Sequence, residues 1–216
     1  MRLGIDLQSA VDDLRGMGRV VRTLLTCFIK DYPQHEYILF AKNPSQIESL
    51  SQLIHRMSPG ATPFRLTTLP ELSATELDVC WYPWNRIDVP PKSGRKIVTI
   101  HDMARFAFPY QGFFRRWDQK KEEKFYRQAV DLADQVVTIS HFSAGEIEKY
   151  LKYPASKISV VYNGVDIDLF ARVPSEPSNL PAEYSNPFLL YVGGDSKAKN
   201  LSALLEAFAL IKLRYE

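Results

Sequence analysis

Short apolar runs rich in Ile and Val alternate along this chain with segments in which apolar residues return every three or four positions. Unbroken apolar runs suit strands buried on both faces, and the longer period suits helices that lay one stripe against a sheet. The pattern predicts strands over Arg2–Leu7, Tyr37–Ala41, Phe64–Thr68, Val79–Tyr82, Lys96–His101, Gln135–Ser140 and Ile158–Tyr162. A helix from about Met17 to Lys30 places Val20, Val21, Leu24, Leu25 and Phe28 on one stripe, and a second places Ile47, Leu50, Ile54 and Met57 similarly. A third, two-toned helix runs from about Gly112 to Ala133. A fourth, from about Phe142 to Tyr150, has the spacing of a capping box at Ser143–Glu146. This alternation predicts an α/β fold: a parallel sheet with helices on both faces.

The composition then shifts. From Ala171 to Pro187 the sequence reads ARVPSEPSNLPAEYSNP, with four prolines, three serines and no periodicity, as in an interdomain linker. Beyond it come an apolar run, Phe188–Val192, a Gly-Gly turn, a lysine-bearing loop, and a helix with Leu201, Leu204, Leu205, Phe208 and Ile211 on one stripe. The organisation expected is a first domain over 1–170, a linker over 171–187, and over 188–216 the first strand and helix of an incomplete second domain. Each large apolar side chain left in water forfeits roughly 1.5–3 kcal/mol. Docking on the first domain, self-association through 188–216, fraying or aggregation is therefore expected for this tail.

With 216 residues, 45% of them apolar and 12% aromatic, the chain can bury a large core. Its 27 basic and 25 acidic residues leave a net charge of +2, which gives no reason to expect nucleic acid as a partner. Cys27 and Cys80 sit among aliphatic neighbours without a CxxC pattern and read as reduced core residues. The four histidines, His35, His55, His101 and His141, have no spacing that collects metal ligands, so no metal is predicted. The start, MRLGIDLQSA, lacks the apolar stretch of a signal peptide, and no run of about 18 apolar residues occurs. A cytoplasmic protein is expected.

Candidate chemistry gathers where strands end. Gly16 and Gly18 lie between the first strand and the first helix, where glycine permits close backbone approach and free N–H groups attract phosphate; a plain strand-to-helix turn is the other reading. His101 and Asp102 close a strand at the carboxyl edge of the sheet, the edge at which doubly wound folds bind ligands. His101 could donate to a ligand hydroxyl, or the pair could cap the next loop. Neighbours on a strand face opposite ways, so the two are not expected to act as a dyad. Ser140 and Asn163-Gly164 end the next two strands and suit either local capping or a cleft. Gly193, Gly194, Lys197, Lys199 and Asn200 form a loop whose amides and ammonium groups suit a diphosphate. The basic segment 113–127, led by Phe113, Phe114 and Trp117, suits an anionic membrane surface or a solvated helix face.

Five of these stretches, RGMGRVVRTLL, IVTIHDMARFAFP, QVVTISHFSAGEIEKYL, KISVVYNGVDIDLF and FLLYVGGDSKAKNLSALLEAFALI, occur in the order seen in family 4 glycosyltransferases, which the chain resembles over nearly its whole length. The resemblance implies two Rossmann-like domains facing a cleft, the acceptor bound mainly by the first and the nucleotide-sugar donor mainly by the second. It implies that Gly16, Gly18, Gly193, Gly194 and Lys199 approach the donor diphosphate and that His101, with Asp102 beside it, lines the catalytic cleft. Ser140, Asn163, Gly164 and Lys197 follow as secondary cleft positions. Two departures stand out: Gly194 replaces the arginine common after the first glycine, and Lys197-Ala198-Lys199-Asn200 replaces Pro-Arg-Lys-Asn. The family's two glutamates, seven residues apart, would fall beyond Glu216.

By resemblance, then, the chain is expected to be a truncated glycosyltransferase, inactive alone, whose full form transfers a hexosyl group with retention to a saccharide or lipid-linked acceptor in polysaccharide biosynthesis. The nucleotide sugar is a substrate, and no cofactor is expected. Location is expected to be cytoplasmic, with peripheral contact at the inner membrane face through 113–127. A non-catalytic acceptor-binding module or subunit is the alternative, and a sugar-nucleotide epimerase a more distant one.

Overall fold

Seven parallel strands form one sheet in the order β3-β2-β1-β4-β5-β6-β7 in a computed structural model that describes residues 1–57, 60, 64–108, 113–165, 167, 171, 188–194 and 196–215, with backbone alone for 113–118 and 215. In chain order the elements are β1 (Arg2–Asp6), α1 (Gly16–Asp31), β2 (Glu36–Ala41), α2 (Ile47–Met57), β3 (Phe64–Thr68), α3 (Leu69–Leu72), β4 (Glu76–Tyr82), β5 (Ser93–Ile100), α4 (Ala104–Ala107), α5 (Phe113–Leu132), β6 (Gln135–Thr138), α6 (His141–Leu151), β7 (Ile158–Val160) and α7 (Leu201–Tyr215). This is the predicted α/β, Rossmann-like arrangement, and all seven strands predicted before the linker are present, β3 with the predicted bounds and the others with shifted ends. The short helices α3 and α4 were not predicted; four residues are too few to display a helical period.

The sheet is buried on both faces, which explains the unbroken apolar runs. In β2, Tyr37, Leu39 and Ala41 join Val21, Leu25 and Ile29 of α1 and Leu50 and Ile54 of α2 in one core cluster. Ile38 and Phe40 turn the other way, into a cluster with Tyr126, Ala129 and Val130 of α5 and Ile147 and Leu151 of α6. The buried Tyr37 hydroxyl lies 2.7 Å from the Phe28 carbonyl and 2.9 Å from that of Tyr32, which anchors the C-terminal turn of α1 to β2. β4 starts three residues earlier than predicted, and its register with β5 shifts between Glu76 and Val79. Gly94 accommodates the shift at φ +105, where a Cβ would collide with the Leu77 carbonyl.

Three expectations are corrected. The buried stripe of α1 runs through Gly18, Val21, Leu25 and Ile29, while Val20, Leu24 and Phe28 are half-buried. Cys27 is exposed and Cys80 is buried; two residues beyond Leu25, Cys27 falls about 200° around the helix, away from the sheet. Burial pushes the Cys80 thiol up to about 12. The cap of α6 is Ser140, three residues before the predicted box: its Oγ accepts from the Ser143 amide at 3.1 Å. Glu146 lies inside the helix and pairs with Lys149 at 3.3 Å.

The chain divides into two compact units, Met1–Asn163 and Gly164–Glu216. In the second, residues 188–192 join no ladder, contrary to the predicted strand; a strand requires a hydrogen-bonding neighbour, and no second strand occurs among the described residues of this unit. A short 3-10 turn, Lys197–Lys199, leads into α7, along which Leu204, Leu205, Phe208 and Ile211 are exposed. Of the expected linker, 171–187, all but Ala171 lies outside the described residues.

Candidate functional site

Strand order reverses between β1 and β4, and such a switch point opens a crevice at the carboxyl ends of the strands. The loop that leaves β1 is fixed before α1 begins. Arg22, nearly two turns into α1, donates from Nη1 to the carbonyls of Ala10 and Asp13, each at 2.8 Å. Gly18 makes this possible, because a Cβ there would collide with the same Asp13 carbonyl. Asp13 accepts from the Arg15 amide at 2.8 Å, and the Arg15 side chain helps hold its carboxyl below the usual range against the opposing effect of burial, the largest single influence. No side chain caps α1 at Arg15, and its first turn carries no acid, so the amides at Gly16–Gly18 form an electropositive helix start. Gly16 is exposed with no heavy atom near its Cβ position, and Gly18 is buried.

The loop after β4 closes over this one. Trp84 donates from Nε1 to the Asp6 carbonyl at 2.8 Å. Asn85 sits in the left-handed region at φ 61, and its side chain reaches two ways: Nδ2 to the Met17 sulfur at 3.7 Å, and Oδ1 to the His101 amide at 2.7 Å. His101 is thereby tied to the start of α1.

His101 lies just past the end of β5 and is 5% exposed. Its Nε2 faces the Pro83 carbonyl at 3.0 Å; a carbonyl only accepts, so Nε2 carries the hydrogen and Nδ1 remains an acceptor. Burial lowers its pKa, opposed by the Pro83 bond and the charges of Asp102 and Asp13, which leaves the ring neutral at pH 7. The His101 carbonyl accepts from Ser143 Oγ at 3.2 Å, and Ser143 Oγ lies 3.1 Å from Ser140 Oγ. Met17, Asn85, His101, Ser143 and Ser140 thus form one connected series across the ends of β4, β5 and β6. Asp102 is exposed, and its Oδ1 accepts from the Ala104 amide at 2.9 Å, the capping role weighed in the sequence.

Asn163 and Gly164 are exposed where the two units divide. In the second unit Gly193, Gly194, Lys197 and Lys199 are exposed, and the Tyr191 hydroxyl donates to the Gly194 carbonyl at 2.7 Å. The side chains of Phe113, Phe114, Arg115, Arg116 and Trp117 lie outside the described residues.

Sequence reasoning missed a polar network at the switch point. The Asp6 carboxyl, fully buried, accepts from the Gln8 amide at 2.9 Å and from Gln8 Nε2 at 2.8 Å. Burial raises its pKa from 3.8 to about 7. Gln8 extends the network to Arg86 and Asp88. The signal was available: IDLQ and WNRID put polar side chains immediately after apolar strands at the ligand-binding edge. Among the described residues no three of His, Cys, Asp and Glu gather in a way that could hold a metal, and no helix is long and apolar enough to cross a membrane.

Over 128 residues the chain is 27% identical to the O-antigen chain mannosyltransferase B of Escherichia coli, a match covering 58% of this chain and 33% of that protein. The chain thus spans about a third of that relative's length. Residues 14–169, which run from the α1 start through β7, match the family described as Glycosyltransferase Family 4. With that match over most of its length and a doubly wound sheet to accompany it, the chain belongs to Glycosyltransferase Family 4.

Proposed function

We propose that this chain supplies the acceptor-side wall of a retaining hexosyltransferase, which moves a hexose from a nucleotide sugar to a saccharide or lipid-linked saccharide. Mannose is the first sugar to try, because the relative is a mannosyltransferase. The observation that carries the reading is the Asn85 bridge, which joins the uncapped α1 start to His101 through bonds to Met17 and the His101 amide. Free amides at Gly16–Gly18 suit a phosphate oxygen, and a buried neutral imidazole suits a sugar hydroxyl, so one crevice offers both chemistries.

In this mechanism the α1 start draws the departing diphosphate, whose negative charge grows as the glycosidic bond breaks. His101 positions the transferred sugar with Nδ1 as acceptor while Pro83 fixes its tautomer. In the second unit, Gly193, Gly194 and Lys199 offer amides and an ammonium suited to a diphosphate, and Lys197 adds charge in the same loop. Ser140 holds His101 through Ser143. Asn163 and Gly164 belong to the proposed cleft rim, and Asp102 acts on His101 by its charge. The site is proposed to work in the cytoplasm, with α5 touching the inner membrane face, and the nucleotide sugar enters as substrate with no cofactor.

The chain, alone and joined to the donor-binding domain of a Family 4 relative, is to be incubated with a panel of nucleotide-linked hexoses, mannose first, and saccharide acceptors, with the product anomer read by NMR. Little or no turnover is expected of this chain alone; in the joined form, turnover with retained configuration is expected, falling about 10²-fold or more in His101→Ala. Saccharide binding without turnover of any donor by the joined form would sink the transferase reading in favour of a non-catalytic acceptor module. Equal turnover by His101→Ala would remove His101 from the chemistry.

A further inference from the structure

At the switch point Gln8 joins two groups that open to solvent. Its Nε2 donates to Asp6 Oδ2 and to Asp88 Oδ2, both at 2.8 Å, and its Oε1 accepts from Arg86 Nη2 at 2.6 Å. Arg86 Nε lies 2.9 Å from Asp88 Oδ2. Asp6 and Gln8 are 0% and 4% exposed, whereas the Arg86 and Asp88 side chains are 37% and 27% exposed. The inner pair is consumed by internal bonds and fixes the outer pair in place. None of the described bonds falls on Arg86 Nη1 or Asp88 Oδ1. A cationic donor and an anionic acceptor therefore stand side by side, anchored from below by a buried amide.

The chemistry of this pair selects its ligand. A phosphate would meet the Asp88 carboxylate, and a cation would meet the Arg86 guanidinium. A flat apolar molecule would leave both groups without partners. A hydroxyl both donates and accepts, so two adjacent hydroxyls of a pyranose can satisfy guanidinium and carboxylate together. We propose that Arg86 and Asp88 form a saccharide subsite that reads adjacent hydroxyls of the acceptor sugar, with Gln8 and Asp6 as positioning residues beneath it. This inference rests on the acceptor-side reading given above.

Titration of the full chain with methyl α-D-mannopyranoside, followed through backbone amide shifts, tests it. Saturable shifts are expected at residues 85–88. Asp88→Asn and Arg86→Gln are each expected to weaken binding about tenfold or more, while amide dispersion elsewhere stays as in the parent chain. Should Arg86→Gln lose its fold, Arg86→Lys keeps the charge, removes the planar fork and is expected to weaken binding likewise. No saturable shift at 85–88, or equal affinity in the folded variants, would overturn the subsite. Saturation elsewhere on the chain, unaffected by these substitutions, would also overturn it but leave the transferase reading intact; that reading stands or falls on donor turnover.

Discussion

Asp6 shows how a single carboxyl can record its surroundings. Fully buried, it is raised to about 7 from 3.8, chiefly by desolvation and further by the charge of Asp88, while the Gln8 bonds and Arg86 act in the opposite direction. Between those two values the folded chain holds a proton that the unfolded chain releases. The contribution of Asp6 to stability is thus fully present below pH 3.8 and is lost as pH rises through about 7. Asp13 and Asp134, both lowered, act in the opposite sense as pH falls. The test is therefore a difference: urea melts of the parent and Asp6→Asn from pH 4 to pH 8. The parent's advantage is expected to shrink by as much as about 4 kcal/mol across the window, superposed on a constant offset of about 1 kcal/mol for a bond that the Asn amide cannot accept. A pH-independent difference would contradict it. Neither this residue's burial nor the inward turn of His101 was legible in the sequence. His101 could be placed at a strand end because an apolar run stops there, but its orientation depends on Pro83, and the Asp6 network on side chains some 80 positions away.

For elements, the loop between β1 and α1 is where local sequence and tertiary structure meet most closely. Gly18→Ala is expected to destabilise by about 1–3 kcal/mol, since the new methyl pushes the Asp13 carbonyl off α1 and disturbs the Arg22 bond to it. Gly16→Ala, with open space at its Cβ position, is expected to stay within about 0.5 kcal/mol. Denaturant melts of the two variants check this pair, and equal effects would argue against the close approach. Strands were legible wherever burial on both faces left an unbroken apolar run, as in Tyr37–Ala41. Phe188–Val192 carries the same signal without a ladder, because pairing is supplied by another strand and not by the run itself. Cys27 was misread for a simpler reason: aliphatic neighbours in sequence are not neighbours around a helix.

On the scale of the whole molecule, both large clusters of buried apolar side chains belong to Met1–Asn163. A chain ending at Asn163 is expected to unfold in one cooperative transition, with a midpoint within a few degrees of the full chain's; calorimetry of both would show it, and loss of the transition would assign 164–216 a part in that core. The sheet also constrains how the protein can be made. β1, built first, lies in the middle, and its second partner, β4, is joined through Leu3 to Val79, 76 positions later. At about 5–20 residues per second of synthesis, this edge of β1 waits roughly 4–15 s for its neighbour. During that interval the nascent chain offers an unpaired central edge, so a chaperone that shields emerging strands would find its most valuable target in β1 until β4 follows it.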